Sequence, residues 1–232
     1  MCENCGCGNA SQEEHRHLPV QEAILSKNDR LARHLREKWQ QQGIVTLNFL
    51  SSPGSGKTSL IERTLTDLAP RFSIAVVVGD LATDNDARRL QGKAAPVVQI
   101  TTGNVCHLEA TMIEKALADM NLQGVQLLFI ENVGNLVCPA AYDLGETARV
   151  VLLSATEGED KPLKYPTLFK TADLVILNKM DIAEAVGFDQ SLAIDNIKQI
   201  APQADIISLS ARSRLGMENW YRYLETVRLS WL

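Results

Sequence analysis

The sequence predicts an α/β fold with a single doubly wound, mostly parallel sheet. Short, continuously apolar runs alternate with helical patterns along the chain, which is typical of a parallel sheet covered on both faces. Polar motifs follow several of these runs, as expected at the carboxyl edge of such a sheet. The chain has 232 residues, of which 45% are hydrophobic and 22% charged. This composition favours one well-packed domain over a disordered chain.

The predicted elements follow from local patterns. In the first helix, Ile24, Leu31, Leu35 and Trp39 recur near one face, and Gly43 closes it. Later helices carry similar apolar periodicity, and the strands are short runs rich in β-branched residues. In chain order, helices are expected at residues 20–42, 59–69, 84–90, 108–120 and 216–229, and strands at residues 44–50, 73–78, 96–100, 125–130, 148–153, 174–177 and 206–209.

A glycine-containing loop joins the first strand to the second helix. The loop reads Ser51-Ser52-Pro53-Gly54-Ser55-Gly56-Lys57-Thr58, and Ser51 stands where the usual P-loop pattern has its first glycine. The two glycines allow backbone N–H groups to turn towards a phosphate, which the positive end of the following helix also attracts. Lys57 can reach the β- and γ-phosphates and Thr58 can ligate Mg²⁺. The predicted nucleotide-binding residues of this loop are Gly54, Ser55, Gly56, Lys57, Thr58 and Ser59.

Two acidic residues at strand ends are candidates for the magnesium site. Glu131 and Gly134 stand in an E-x-x-G pattern where P-loop GTPases usually have D-x-x-G. We expect Glu131 to approach Mg²⁺ and the Gly134 N–H to face the γ-phosphate. Asp80 is the second acidic candidate. With Lys57 and Thr58, these residues form the predicted catalytic group for hydrolysis of the bound nucleotide.

Two further motifs predict guanine as the base. Asn178-Lys179-Met180-Asp181 fits N-K-x-D, in which the aspartate can accept hydrogen bonds from guanine N1–H and the exocyclic amine. Adenine would leave that carboxylate unpaired, so such a site discriminates strongly. Ser210-Ala211-Arg212 fits the S-A-[KR] loop that completes a guanine pocket. A lone N-K-x-D is a weak signal, but the P-loop, E-x-x-G, N-K-x-D and S-A-R motifs in this order, each after a strand, are together a strong indication.

Three cysteines at the start of the chain form a C-x-x-C-x-C segment: Cys2, Cys5 and Cys7. Three thiolates so close can wrap one metal ion, and loss of Met1 would offer the Cys2 amine as a fourth ligand. That set suits square-planar Ni²⁺, although Zn²⁺ could also take it. We therefore divide the chain into a flexible metal-binding segment, residues 1–19, and a P-loop GTPase domain with an N-terminal helix, residues 20–232.

A second metal site is predicted near the nucleotide. Cys106 and His107 lie between a strand and a helix, and Cys138 lies four residues beyond Gly134. A lone cysteine or histidine is more often a packed residue, but three such residues in loops at one edge favour Ni²⁺ or Zn²⁺. One subunit supplies at most three ligands here, so two subunits could complete a shared site.

Composition also argues against some classes of protein. The formal net charge of −5 gives no general attraction to nucleic acid or to an anionic membrane. No apolar run approaches the ~20 residues that span a bilayer, and no basic-then-apolar signal segment is seen. We expect a cytoplasmic protein, and the five cysteines in it argue for metal or redox chemistry over disulfides.

Taken together, these motifs resemble the HypB family of hydrogenase nickel-incorporation GTPases, in the metallochaperone branch of P-loop GTPases. The C-x-x-C-x-C segment, the Ser51-containing loop, and Cys106, His107 and Cys138 are similar to that family's motifs, as are residues 131–135 and 159–166. The resemblance covers nearly the whole chain. The chain departs from some members in lacking a long histidine-rich tract, which bears on nickel storage and not on delivery.

The resemblance implies GTP hydrolysis coupled to insertion of Ni²⁺ into the large subunit of [NiFe]-hydrogenase. It further implies a HypA-type zinc chaperone as partner and a GTP-promoted homodimer, with Ile182 and Val186 at its surface; ordinary helix packing is the alternative for these two. Slow intrinsic turnover is expected because no glutamine or arginine finger is evident. Two alternatives remain open: a related GTPase for urease or a cobalamin enzyme, and a nickel or zinc buffering protein with a structural nucleotide site.

Overall fold

The structure is a computed structural model that describes residues 11–93 and 95–231, with side chains from residue 22 onward. Seven parallel strands form one sheet in the order β3-β2-β4-β1-β5-β6-β7. The predicted doubly wound α/β fold is thereby confirmed. The strands are β1 (Val45–Ser51), β2 (Ile74–Asp80), β3 (Val97–Thr101), β4 (Leu127–Glu131), β5 (Ala148–Ser154), β6 (Leu174–Asn178) and β7 (Asp205–Ser208).

Eight α-helices connect and cover these strands in the described part of the chain. They are α1 (Ser11–Gln41), α2 (Lys57–Leu68), α3 (Asn85–Leu90), α4 (Ala110–Leu117), α5 (Lys161–Lys164), α6 (Pro166–Lys170), α7 (Gln190–Ile200) and α8 (Met217–Trp231). Short 3₁₀ turns span Cys138–Ala141, Ala155–Glu157, Met180–Ile182 and Glu184–Val186. None of the helices described combines the length and apolar character needed to cross a membrane.

The helices divide between the two faces of the sheet. Side chains of α2, α3 and α8 pack with Val45, Leu47 and Phe49 of β1 on one face. The alternate residues of the strands face the other side, where α1 and α4 cover one half and α6 and α7 the other. Because side chains alternate along a strand, Thr46 and Asn48 of β1 belong to this second face.

The structure corrects the first predicted helix. It begins at Ser11 instead of residue 20, so residues 11–19, placed in the flexible segment, are helical here. The added turns hold Gln and Glu residues, which favour helix without supplying the apolar periodicity that the prediction used. Leu35 and Trp39 are buried as expected, but Ile24 is 49% exposed and does not belong to the core.

Candidate nucleotide and metal site

The P-loop joins β1 to α2, as its sequence predicts. Lys57 is buried, and its ammonium donates a 2.9 Å hydrogen bond to the hydroxyl of Ser51. Burial lowers the pKa of this lysine, while nearby carboxylates, Glu131 foremost, oppose that shift. A glycine at position 51 would offer the lysine no hydroxyl. The departure from the usual motif therefore supplies an internal partner for the phosphate-binding cation.

Gly56 is the position of the loop where a side chain would fit least. Its φ is +101°, and a Cβ there would lie 2.4 Å from Asn178 Nδ2. That amide donates to the Ser55 carbonyl at 2.8 Å, and Lys179 Nζ donates to the Gly54 carbonyl at 2.7 Å. The base-recognition motif thus contacts the P-loop directly, which fixes the two parts of a nucleotide site relative to each other.

Glu157 also holds the P-loop, and the sequence analysis missed it. Its carboxylate accepts hydrogen bonds from Ser55 Oγ at 2.6 Å and from Ser52 Oγ at 3.1 Å. Glu157 ends the 3₁₀ turn after β5, so it lies at the same carboxyl edge of the sheet as the predicted motifs. That position after a strand was the signal available in the sequence.

The predicted magnesium ligands converge beside the P-loop. Thr58 Oγ1 donates to Glu131 Oε1 at 2.6 Å, whereas the buried Glu131 Oε2 has no hydrogen-bond partner. Burial, partly opposed by Lys57, raises the pKa of Glu131 to about 7. Asp80 accepts backbone hydrogen bonds from Thr83 at 2.7 Å and Ala82 at 3.0 Å. The orphaned oxygen and the hydroxyl beside it suit a hard cation.

Gly134 packs closely on the loop. A Cβ at this position would lie 3.0 Å from the Cα of Pro53. The segment after β4 therefore lies against the P-loop, where its backbone can meet a terminal phosphate.

A cavity of about 550 Å³ at the amino edge of the sheet, lined in part by Trp39 and Glu114, contains none of these motifs.

Two adjoining cavities complete the nucleotide site. The first, of about 530 Å³, is the phosphate cavity, and the second, of about 330 Å³, is the base cavity. Gly56, Ser59 and Lys179 line both. The phosphate cavity also has Gly54, Lys57, Thr58, Asp80, Asp86, Arg89, Glu131, Asn132 and Gly134, and the base cavity has Asn178, Asp181, Ile182, Ser210, Ala211 and Arg212.

The polar residues of the base cavity differ in exposure. Asn178 is buried, and its Oδ1 accepts from the Lys179 N–H at 2.8 Å and the Ala211 N–H at 3.3 Å. Asp181 is exposed at the start of a 3₁₀ turn, and Lys179 has a φ of +62°. Asn178 therefore braces the cavity, and the Asp181 carboxylate is free to meet a base.

Cys106, His107 and Cys138 come together, with one candidate ligand atom of each within 4.8 Å of the others. Neither nitrogen of His107 has a hydrogen-bond partner, although its Nε2 lies 3.5 Å from Glu109 Oε1. Interaction with Cys106 raises the pKa of the Cys138 thiol. We call these three residues the metal cluster. Two sulfurs and one imidazole suit Ni²⁺ or Zn²⁺.

The metal cluster is held by its neighbours. Tyr142 stacks on His107 with ring centroids 3.9 Å apart and planes at 22°. Asn135 Nδ2 donates to the Cys106 carbonyl at 3.3 Å. Neither Tyr142 nor Asn135 was predicted as part of a metal site, because stacking and backbone contacts between distant segments leave no local pattern.

Two predictions concern other parts of the chain. Cys2, Cys5 and Cys7 lie outside the described residues, so the N-terminal metal site remains a prediction. Ile182 and Val186 are 36% and 47% exposed, which argues against core packing as their role within one subunit.

Comparison with known proteins places this architecture among characterised relatives. Residues 45–208 match the family model described as CobW/HypB/UreG, nucleotide-binding domain. The chain is 50% identical over 212 residues to the hydrogenase maturation factor HypB of Rhizobium leguminosarum bv. viciae, covering 91% of this chain and 71% of that protein. It is 44% identical over 211 residues to the hydrogenase/urease maturation factor HypB of Helicobacter pylori, covering 89% and 86%.

A solved structure agrees with the sequence comparison. The crystal structure of HypB from Helicobacter pylori in complex with nickel superposes with a TM-score of 0.83 and 44% identity. The match covers 88% of this chain and 96% of that one. The family-model match over residues 45–208 includes all seven strands and the loops that carry the phosphate cavity and the metal cluster.

Proposed function

Because this chain belongs to the HypB family of hydrogenase maturation factors, we propose that it is a GTPase that delivers Ni²⁺ to the large subunit of a [NiFe]-hydrogenase. The relatives named for hydrogenase maturation and the nickel complex of one of them support this role. The proposal joins three parts: a guanine nucleotide site, a nickel site and a connection between them.

Guanine specificity rests on the base cavity. Its exposed carboxylate, Asp181, can accept from both guanine donors. The Ala211 N–H lies in the same cavity, where it donates to Asn178 Oδ1 at 3.3 Å. The bracing contacts of Asn178 to the P-loop and to Ala211 keep these groups together before any base arrives. A preorganised site of this kind selects its base at a low entropic cost.

Phosphate binding and hydrolysis are assigned to the adjoining cavity. Lys57 and the N-terminus of α2 would neutralise the β- and γ-phosphates. Thr58 and Glu131, with Asp80 nearby, would hold Mg²⁺, which supplies charge neutralisation to the transferred phosphate. Arg89 is the only arginine among the described residues lining this cavity, and it is engaged with Glu62 at 2.7 Å. Intrinsic turnover is accordingly slow.

The metal cluster is the proposed site for Ni²⁺ in transit, and Zn²⁺ is a competing occupant. Three ligands leave a coordination position open, which suits a metal that must be released. A homodimer that GTP promotes would form through the Ile182 and Val186 surface. The nucleotide would then control the assembly of the two subunits that carry the metal clusters. We place nickel delivery in the cytoplasm. Cys2, Cys5 and Cys7 form the proposed second nickel site, and a HypA-type zinc chaperone is the proposed partner.

One observation carries the proposal: a single short segment belongs to both sites. Glu131 and Gly134 line the phosphate cavity, and Cys138 belongs to the metal cluster. Contacts with a γ-phosphate order such segments in other GTPases, and hydrolysis releases them. The state of the nucleotide can therefore alter the position of a nickel ligand.

The proposal is tested by reconstituting delivery. Nickel-loaded protein is mixed with the apo large subunit and the HypA-type chaperone, with GTP, GDP or ATP, and nickel transfer is measured. We expect GTP hydrolysis and GTP-dependent transfer, with little support from ATP. Hydrolysis without transfer would remove the delivery role, and nickel binding without hydrolysis would favour the buffering alternative.

A second candidate client is urease, because two relatives, from Helicobacter hepaticus and Helicobacter pylori, are named as hydrogenase/urease maturation factors. The same assay with apo-urease distinguishes the two. Transfer to urease alone would move the proposed function to that enzyme, while transfer to both would make this a shared nickel source.

A further inference from the structure

We propose that Asn132 is a positioning residue that couples the phosphate cavity to both halves of the metal cluster. The inference rests on the proposed nucleotide-dependent delivery and specifies how one site regulates the other. Asn132 directly follows Glu131 and also lines the phosphate cavity. Its side chain is 1% exposed and is directed into the protein.

The first connection runs to the Cys106–His107 half of the cluster. Asn132 Oδ1 accepts a hydrogen bond from the Leu108 N–H at 3.3 Å, and Leu108 directly follows His107. The same oxygen accepts from the Val133 N–H at 2.9 Å. A shift of the segment that begins at Glu131 would therefore move the acceptor that anchors the backbone beside His107.

The second connection runs towards the Cys138 half through the interior of the sheet. Asn132 Nδ2 donates to Asn48 Oδ1 at 3.2 Å, and Asn48 Nδ2 donates to Glu146 Oε1 at 3.3 Å. Arg149 Nε donates to the same Glu146 oxygen at 2.6 Å. Four buried or nearly buried polar side chains thus form one continuous chain of hydrogen bonds.

Arg149 ends this chain on the backbone that carries the cluster. Its two terminal nitrogens donate to the carbonyls of Ala140 and Tyr142, each at 3.0 Å. Ala140 belongs to the 3₁₀ turn that starts at Cys138, and the Tyr142 ring stacks on His107. The backbone next to both halves of the metal cluster, at Leu108 and at Ala140 and Tyr142, is therefore hydrogen-bonded, directly or through this chain, to Asn132.

The cost of this arrangement argues that it has a role. Asn48 lies in the central strand β1 with no exposure, where an apolar residue would pack without a desolvation penalty. Every side-chain nitrogen and oxygen of Asn48, Asn132, Glu146 and Arg149 that is buried has a partner. Fully satisfied networks of this kind make a core rigid, and hydrogen-bond networks are among the physical links that carry coupling between two sites.

The test measures Ni²⁺ affinity in two nucleotide states. The full chain carries Cys2→Ala, Cys5→Ala and Cys7→Ala, which leaves the cluster as the remaining predicted nickel site. Ni²⁺ is titrated with GDP and with a non-hydrolysable GTP analogue bound. In this background we expect the two dissociation constants to differ by about tenfold, a usual size for coupling between sites.

In Asn132→Ala we expect the two dissociation constants to be about equal, because a ratio of about one means that the sites are not coupled. Ni²⁺ should still bind in both nucleotide states. Asn48→Ala cuts only the second connection and should give an intermediate ratio. Thr46→Val is the matched control: Thr46 is equally buried on the same face of β1, but its hydroxyl has no partner. It should keep the background ratio.

The outcomes separate the inference from the proposed function. If the background protein shows coupling and both asparagine variants keep it undiminished, Asn132 is not the coupling residue. If the background protein itself shows equal nickel affinities, the nucleotide dependence in the proposed function fails first. If Asn132→Ala shows no cooperative thermal unfolding transition, Asn48→Ala becomes the deciding variant. A ratio of nickel dissociation constants equal to that of Thr46→Val would then overturn the relay from Asn132 to Arg149.

Discussion

The nucleotide cavities and the metal cluster lie at the same edge of the sheet. They differ in how far the protein itself supplies hydrogen-bond partners for their buried polar atoms. In the nucleotide site, Lys57, Ser55 and Asn178 all have hydrogen-bond partners within the protein, and Glu131 Oε2 is the one buried polar atom described there that has none. In the metal cluster, both nitrogens of His107 are buried without partners.

This difference indicates two kinds of preparation for a ligand. The nucleotide site is preformed by internal hydrogen bonds, so its geometry persists when it is empty. The cluster has its candidate ligands in place but leaves both nitrogens of His107 unsatisfied, which a bound metal ion would correct at one of them. Comparable substitutions in the two regions should therefore have different effects.

The largest effect is expected at the base cavity. Asp181→Asn replaces an oxygen acceptor with a donor, so it should weaken GTP binding roughly 10³-fold or more, as sites built for specific hydrogen bonds do. Xanthosine triphosphate, which has a carbonyl in place of the amine, should bind better than GTP. Nucleotide titration checks this. Glu184→Gln, on the next turn and outside the cavity, should leave GTP affinity unchanged.

A substitution in the metal cluster should weaken metal binding without changing nucleotide binding. With Cys2, Cys5 and Cys7 replaced by alanine, Cys138→Ser should weaken Ni²⁺ binding by roughly 100-fold, because a hydroxyl is a poor substitute for thiolate. GDP affinity should stay the same. The neighbouring Val137→Ser serves as a control, and an equal nickel loss in that variant would contradict the assignment of Cys138 as a ligand.

The rigidity of the P-loop is tested with a pair of glycines. Gly56→Ala combines a φ of +101° with a clash at 2.4 Å against Asn178, whereas Gly124→Ala has a φ of +78° and open space. We expect losses of roughly 2–4 and roughly 1 kcal/mol in unfolding free energy, respectively. Denaturant titration measures both. Equal losses would mean that the loop can shift to accept a side chain.

The smallest effect on stability is expected for His107→Phe. The phenyl ring can keep the stack on Tyr142 and removes two buried nitrogens that have no partner. The metal-free protein should change by less than about 1 kcal/mol, in the stabilising direction, while Ni²⁺ binding weakens. A clear loss of stability would show that the imidazole has a structural partner and would remove the contrast between the regions.

The sequence motifs named residues that the structure brings together around two adjoining cavities, because each motif is contiguous and follows a strand. It predicted neither Glu157 nor the relay from Asn132 to Arg149, since these contacts join residues that are far apart in the chain. The helices α5, α6 and α7 were not individually predicted either. Two of them are only four and five residues long. The third, α7, begins at the Asp189 cap, whose side chain accepts from the Leu192 N–H, and this start signal was not used.

The central claim is that nucleotide state and the metal cluster are coupled, and binding linkage gives a direct test. The affinities of the Cys2→Ala, Cys5→Ala, Cys7→Ala protein for GDP and for a non-hydrolysable GTP analogue are measured with and without Ni²⁺, while mass in solution is recorded. Our account predicts that Ni²⁺ changes the ratio of the two affinities by about tenfold, the same factor by which nucleotide changes nickel affinity. An unchanged ratio, with Ni²⁺ bound at the cluster, would contradict it.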